Sequence, residues 1–96
     1  MYTQTIIQKL ESASGVVYTA YAHTVLVEGK PAESCGVEIR AADAVCRQDD
    51  ITPDRAAVSA FLHSLYEHDA QPAELYVLAE DFLVALSCNQ DGSVVY

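Results

Sequence analysis

The chain has 96 residues, of which 51% are hydrophobic and 20% charged, and its formal net charge is −9. This composition is typical of one folded domain spanning residues 1–96 and excludes a disordered chain. The acidic balance excludes unaided binding to nucleic acid or to an anionic membrane, since both need clustered Lys and Arg.

Most of the negative charge lies in the second half of the chain. Residues 49–96 carry nine acidic residues and a single basic one, Arg55, whereas residues 1–48 carry five acids and four bases. An acidic half of this kind permits a basic protein partner. The alternative is that the acids only keep a small protein in solution.

The chain shows no targeting or membrane signal. No apolar run approaches the roughly 20 residues that span a bilayer, and MYTQTIIQKL lacks the basic start and apolar core of a secretory signal. We therefore expect a cytoplasmic protein with no membrane partner.

The first half of the chain predicts strands. Residues 2–10 mix Thr, Ile and Tyr with polar residues, and residues 16–27, VVYTAYAHTVLV, have the clearest strand pattern and are apolar on both faces. A loop follows at residues 28–31, whose proline bars continuation of a central strand. In residues 35–41 apolar and polar side chains then alternate, which predicts a strand with one face exposed to solvent. A further short strand is expected at residues 44–48.

The first helix is predicted to follow directly. Thr52 suits its N-cap, Pro53 its first position and Asp54 its dipole, and the helix extends to about Glu67. One face of this helix is predicted to form a buried stripe: Ala57, Val58, Phe61, Leu62, Leu65 and Tyr66. The linker to the next helix is short, which favours an antiparallel helix pair.

The second helix is predicted over residues 72–87, PAELYVLAEDFLVALS. It has a wide apolar face and, opposite to it, a narrower seam of Val77, Val84 and Cys88. The wide face consists of Leu75, Leu78, Ala79, Phe82, Leu83 and Leu86. We therefore expect this helix to be central, with neighbours on both sides. A turn at residues 89–92 and a short edge strand at residues 93–96 complete the prediction.

These elements predict an α+β fold of β-β-β-α-α order. An antiparallel sheet of three to five strands carries the C-terminal helix pair packed on one face. Two helices cover only one face of such a sheet, although the strand at residues 16–27 is apolar on both. We therefore predict a two-fold homodimer, formed through the open sheet face or the Val77 seam. The sheet face is preferred because it is the larger of the two.

No set of residues with catalytic or metal-binding spacing stands out. His63 and His68 are five residues apart and do not chelate one metal ion as an i, i+4 pair does, and Glu80 and Asp81 project about 100° apart on a helix. Glycine-rich phosphate loops and the G-x-S-x-G nucleophile motif are absent from the sequence. We predict no catalytic residue, no cofactor and no metal.

The cysteines also lack metal-binding spacing. Cys35, Cys46 and Cys88 are odd in number and widely spaced, without zinc-ligand spacing. We expect three free thiols and no disulfide, as is usual in the cytoplasm.

Four short motifs occur in a characteristic order: CGVEI at residues 35–39, DITPD at 50–54, PAEL at 72–75 and EDFL at 80–83. This order resembles an uncharacterised family of small bacterial cytoplasmic proteins, a domain of unknown function, over about residues 17–86. In that family a tyrosine-glycine-isoleucine strand leads through an aspartate-isoleucine-serine cap into one helix. A proline-x-x-leucine start then opens a second helix that ends in glutamate-aspartate-phenylalanine-leucine. The resemblance implies the fold and a bacterial cytoplasmic location, but no activity.

Two departures from the family pattern stand out. Cys35 takes the place of the usual tyrosine, and Thr52 takes the place of the usual serine, where it caps equally well.

The sequence favours a non-enzymatic protein-interaction or regulatory module. No catalytic set converges, and the acidic half offers a surface to a basic protein partner. The candidate interaction face combines acidic and apolar residues of the second helix: Glu74, Val77, Glu80, Asp81 and Val84. The alternative is a small enzyme or ligand-binding protein with a site between sheet and helices, using Cys46, His23 or a tyrosine.

Overall fold

A computed structural model describes the backbone of residues 4–91 and the side chains of residues 4–85. Its four strands pair in chain order as one antiparallel sheet, and two helices follow them. The elements in order are β1 (Gln4–Glu11), β2 (Val17–Val27), β3 (Lys30–Arg40), β4 (Val45–Thr52), α1 (Arg55–Glu67), a short 3₁₀ turn (Pro72–Glu74) and α2 (Leu75–Asp91). The α+β fold and a strand number within three to five are confirmed.

A two-residue turn joins β2 to β3. Glu28 and Gly29 both have positive φ, at 53° and 80°, which is the backbone that matches the twist of a tight hairpin. The predicted longer loop is therefore wrong, and Pro31 lies inside β3, paired with Leu26. It is tolerated there because β4 pairs with β3 only from Cys35 onward, so no bond to β4 is lost.

One hydrophobic core joins alternate residues of the sheet to the helices. Tyr18 is fully buried near its centre, and its hydroxyl donates a hydrogen bond to the Ala70 carbonyl at 2.8 Å. This bond ties the linker between the helices to β2. The core includes Ala20, Ala22, Cys35, Val37 and Ile39 from the sheet, Val58, Phe61, Leu62 and Leu65 from α1, and Leu75 and Ala79 from α2.

The start of α1 differs from the prediction. Thr52 is the last residue of β4, where it pairs with Cys35. The N-cap is Asp54, whose Oδ1 accepts hydrogen bonds from the amides of Ala56 and Ala57 at 2.9 and 3.3 Å. Strand pairing takes Thr52 into the sheet, so the next residue with a suitable side chain caps the helix.

Hydrogen bonds to Gln8 attach α1 to the edge strand β1. Gln8 Oε1 accepts hydrogen bonds from Ser59 Oγ at 2.7 Å and from the His63 ring at 3.2 Å. The predicted buried stripe of α1 is confirmed at Val58 and Leu62 and at the phenylalanine between them, whereas Tyr66 is exposed.

The second helix is not central in the single chain. Leu75 and Ala79 are buried and Leu78 and Phe82 half-buried, but the opposite side is exposed. The strands that have a paired neighbour on both sides are β2 and β3. The helix continues to Asp91, so the prediction of a turn is wrong for residues 89–91. The side chain of Cys88 and the strand predicted at residues 93–96 lie outside the described residues.

Two further expectations concern thiols and membranes. Cys35 and Cys46 are both free thiols, and burial raises the pKa of the Cys35 thiol. Within residues 4–91, no helix is long and apolar enough to cross a bilayer.

Candidate interaction surface

The predicted interaction face lies on the outer side of α2. We call it the acidic strip: Glu74, Val77, Glu80, Asp81 and Val84. All five residues are exposed. Those in α2 share one side of the helix because they are separated by three or four residues, and Glu74 lies in the 3₁₀ turn that precedes the helix.

Large apolar side chains face water along this strip. Val77 and Val84 are 61% and 60% exposed, and the neighbouring Tyr76 is 62% exposed. Single exposed apolar residues are common, but a cluster of them beside charges on one helix is typical of an interaction site.

No basic side chain of α1 or α2 offsets the acids of the strip. After Arg55 the sequence contains no Lys or Arg. Arg55 itself makes two hydrogen bonds of 2.8 Å to the carboxylate of Glu33 in β3, and this contact lowers the pKa of Glu33. The outer side of α2 therefore keeps its negative charge.

A groove of about 550 Å³ lies between α1 and α2, next to the strip. The rings of Phe61 and Phe82 stack with their centroids 4.5 Å apart and join the two helices. Leu65 and Leu78 line the groove, and Glu74 and Asp81 of the strip also belong to its lining.

The linker between the helices contributes His68 and Ala70 to the lining of this groove. Asp69 adopts a positive φ of 52°, and Ala70 N donates to Leu65 O at 3.0 Å. Glu74 Oε1 accepts from Gln71 N at 2.8 Å, which is the glutamate half of a capping box. The position of Glu74 is thus fixed by local chain geometry.

A second polar cluster covers the sheet face opposite to the core. The Arg47 guanidinium carbon lies 4.1 Å from the centroid of the Tyr21 ring, and Tyr21 is only 1% exposed. Arg47 Nε donates to Asp49 Oδ1 at 3.1 Å, and the Tyr21 hydroxyl donates to the same oxygen. Arg47 also hydrogen-bonds Gln4 and forms an ion pair with Glu38 at 3.6 Å.

Electrostatics keep this cluster in one protonation state at neutral pH. Burial and the hydrogen bond to Asp49 raise the pKa of the Tyr21 phenol well above its usual range. The hydrogen bonds from Tyr21 and Arg47 lower the pKa of Asp49. A protonated phenol bound to an ionised carboxylate stabilises the fold and does not supply a nucleophile.

The residues suggested for an enzymatic site are divided between the two faces. His23 Nε2 lies 3.0 Å from Asp50 Oδ1, and its ring centroid is 6.0 Å from that of Tyr21. Cys46 instead packs against the core. In the part of the chain that the structure describes, no three His, Cys, Asp or Glu side chains converge to hold a metal ion.

The sequence predicts the acidic strip. It predicts neither the groove between α1 and α2 nor the polar cluster around Tyr21 and Arg47. The groove residues Phe61, Leu65, Leu78 and Phe82 were assigned to the core, because an apolar stripe looks the same whether it is covered or half-open. Contacts of Arg47 with Tyr21 cross from β4 to β2, and no local pattern signals them.

Comparison with known proteins identifies a family. A model described as a family of unknown function, DUF6514, matches residues 3–85 of the 96, and the chain belongs to this family. The expected membership of an uncharacterised family is thereby confirmed. Searches of curated proteins and of solved structures found no match.

Proposed function

We propose that this DUF6514 protein is a non-enzymatic protein-interaction module whose acidic strip binds a basic surface of a protein partner. The observation that carries the proposal is the exposure of Val77 and Val84 beside Glu80 and Asp81 on one side of α2, with Glu74 in the turn before it. We further propose that the protein acts in the bacterial cytoplasm, which is the location that the resemblance described above implies.

Apolar and acidic side chains contribute differently to such an interface. Burying the two valines and Tyr76 against a partner removes apolar surface from water, which supplies affinity. The carboxylates steer a basic partner toward the strip and disfavour acidic proteins, so they contribute association rate and specificity.

The fold presents the strip on a supported element. Leu75 and Ala79 fix the inner side of α2 in the core, so the outer side keeps its shape without a partner, which lowers the entropic cost of binding. The proposal takes both helices to pack on one face of the sheet, and their shared core with Tyr18 and Val37 supports this arrangement.

The alternative, an enzyme or ligand-binding protein with a site between sheet and helices, has less support. Tyr18, Val37 and Leu62 are fully buried there and fill the space with side chains. His23 and Tyr21 are hydrogen-bonded on the opposite face.

Site-specific photo-crosslinking in the native cell tests the proposal. A photoreactive phenylalanine analogue is placed at Val77 or Val84, with Thr24 and Ala13, both exposed and distant in sequence, as control positions. We expect a discrete crosslink to one basic protein from positions 77 and 84 only. The double variant Glu80→Lys/Asp81→Lys should abolish it, because it reverses the charge of the strip.

Two results would reject the proposed function. One is equal crosslinking at positions 24 and 13, since the strip would then have no special role. The other is a crosslink from positions 77 and 84 that contains only a second copy of this chain.

A further inference from the structure

We propose that the groove between α1 and α2 is the docking site for a cationic amphipathic helix of the partner protein. The proposal rests on the interaction function stated above and names the part of the partner that the acidic surface recognises. The acidic strip supplies the charged border of this site, and the groove supplies its apolar floor.

The groove has the apolar floor that such a site needs. Phe61, Leu65, Leu78 and Phe82 line its 550 Å³, a volume within the usual range for binding sites of roughly 300–1,000 Å³. Leu78 and Phe82 are only half-buried in the single chain. An apolar side chain that enters the groove therefore removes further apolar surface from water.

The carboxylates at the groove favour a positively charged ligand. Asp81 and Glu74 belong to its lining, together with His68, whose Nδ1 lies 2.8 Å from the Ser64 carbonyl and donates to it. The sequence has no Lys or Arg after Arg55 to neutralise these carboxylates. A partner segment with Lys or Arg beside its apolar side chains pairs with them, whereas an acidic segment is repelled.

The spacing of the lining residues matches a helical ligand. Positions 61, 64, 65 and 68 of the α1 side and positions 74, 78, 81 and 82 of the α2 side face the groove. Seven residues of helix cover roughly 10 Å, or about two turns. A ligand helix with apolar residues at i, i+3 or i+4, and i+7 places its anchors along the same length.

A titration of the full-length protein with a designed peptide tests this site. The probe is an acetylated 14-residue peptide of Leu and Lys arranged as an amphipathic helix. Its control has the same composition in an order that is not amphipathic. Backbone amide shifts of the isotope-labelled protein should change at the groove-lining residues of α1 and α2 with the amphipathic peptide.

Two tryptophan variants separate the groove from the outer strip. Ala60 is exposed and lines the groove, whereas Ala56 is exposed in the first turn of α1 and does not line it. We expect Ala60→Trp to fill the groove and weaken peptide binding about tenfold or more, as loss of a central contact does. Ala56→Trp should bind as the wild type does, and equal melting temperatures show that both variants fold.

Several outcomes would overturn the proposal. Wild-type affinity in Ala60→Trp, with shifts confined to Val77 and Val84, would place binding on the outer strip, and the proposed function would survive without the groove. Equal binding of the non-amphipathic peptide would show attraction by charge alone. Absence of binding at millimolar peptide would reject the groove as a site for a cationic helix, whereas only the crosslinking experiment rejects the interaction function itself.

Discussion

Gly36 is the residue that allows Tyr21 to lie flat across the sheet. A Cβ atom at this position would stand 2.5 Å from the Gln48 carbonyl oxygen and 2.7 Å from the Tyr21 hydroxyl oxygen. Both distances are below van der Waals contact, and one involves backbone that cannot move alone. The glycine is therefore required by packing rather than by backbone conformation.

We predict that Gly36→Ala lowers the free energy of unfolding by about 1–3 kcal/mol, the usual cost of overpacking. Urea unfolding at neutral pH measures the change. The matched control is Ser34→Ala, in the same strand and pairing with His23 instead of Tyr21. A Gly36→Ala protein as stable as this control would show that the Tyr21 ring does not occupy the space over β3.

Asp49 gives the stability a defined dependence on acid. Its pKa is lowered by the hydrogen bond from Tyr21 and by Arg47, so the folded state favours the ionised carboxylate. A lowered pKa contributes stability above the pKa of the unfolded chain, about 3.9. That contribution is lost as the pH falls through the lower pKa of the folded protein.

We therefore predict that Asp49→Asn is less stable than the wild type at pH 7 and that the difference shrinks below about pH 4. Urea midpoints measured from pH 7 to pH 2.5 test this. Asp43→Asn, in an exposed loop, serves as the control. A difference that stays constant over the whole range would mean that the Asp49 charge has no part in the cluster.

At the scale of elements, the helix boundary depends on which residue caps α1. The sequence DDITPD offers two capping residues close together, Thr52 and Asp54. Pairing of Thr52 with Cys35 decides between them, since a residue within a strand is not free to begin a helix.

We predict that Asp54→Ala costs about 1 kcal/mol of stability, because the amides of Ala56 and Ala57 lose their acceptor. Asp54→Asn should stay close to the wild type, since Asn caps helices about as well as Asp. Chemical unfolding of the two variants side by side provides the measurement. A loss on Thr52→Val with none on Asp54→Ala would restore Thr52 as the cap.

These elements show how far the sequence predicts the fold. The strand β2 and the buried stripe of α1 were predictable because their signals are local: β-branched residues in one run and apolar residues at helical spacing. The boundaries of β3 and β4 were not, because they depend on strand pairing. The register between β3 and β4 shifts between Cys35 and Val37, for example, and Asp50 has a positive φ of 57° opposite this shift.

The candidate site, like the fold, was predictable from the sequence only in part. The acidic strip was predicted because acids and valines recur every three or four residues on α2, and helical spacing alone places them together. The groove depends on how far α2 stands from α1 beyond the stacked Phe61 and Phe82 rings. That separation is set by packing between elements, and the apolar residues that line the groove carry no mark of it in the sequence.

At the scale of the whole molecule, the homodimer stays a prediction, and we propose the outer side of α2 as its interface. The prediction favoured the open sheet face, but there Tyr21 and Thr19 are already buried within the single chain, with Arg47 over the tyrosine ring. Exposed apolar residues of that face, such as Val27 and Val45, lie on different strands, whereas Val77 and Val84 lie on one side of one helix.

Self-association through α2 should depend strongly on salt. A two-fold axis beside the helix places Glu80 and Asp81 of one copy near the same residues of the other, and like charges at that distance repel each other. The Debye length falls from about 10 Å at 0.1 M salt to about 3 Å at 1 M salt. High salt therefore screens the repulsion while the apolar contact of the valines persists.

We predict a species near 10.4 kDa at low salt and, in the micromolar range, a dimer at 1 M salt. Sedimentation equilibrium at both salt concentrations measures this. The double variant Val77→Ser/Val84→Ser should stay monomeric at 1 M salt, because it removes the apolar contact and keeps every charge. Glu80→Gln/Asp81→Gln should dimerise at low salt, since the repulsion is gone while the valines remain. A wild-type protein that sediments as a monomer throughout would reject the homodimer and leave the outer side of α2 to a basic partner, whose charge removes the repulsion that a second copy adds.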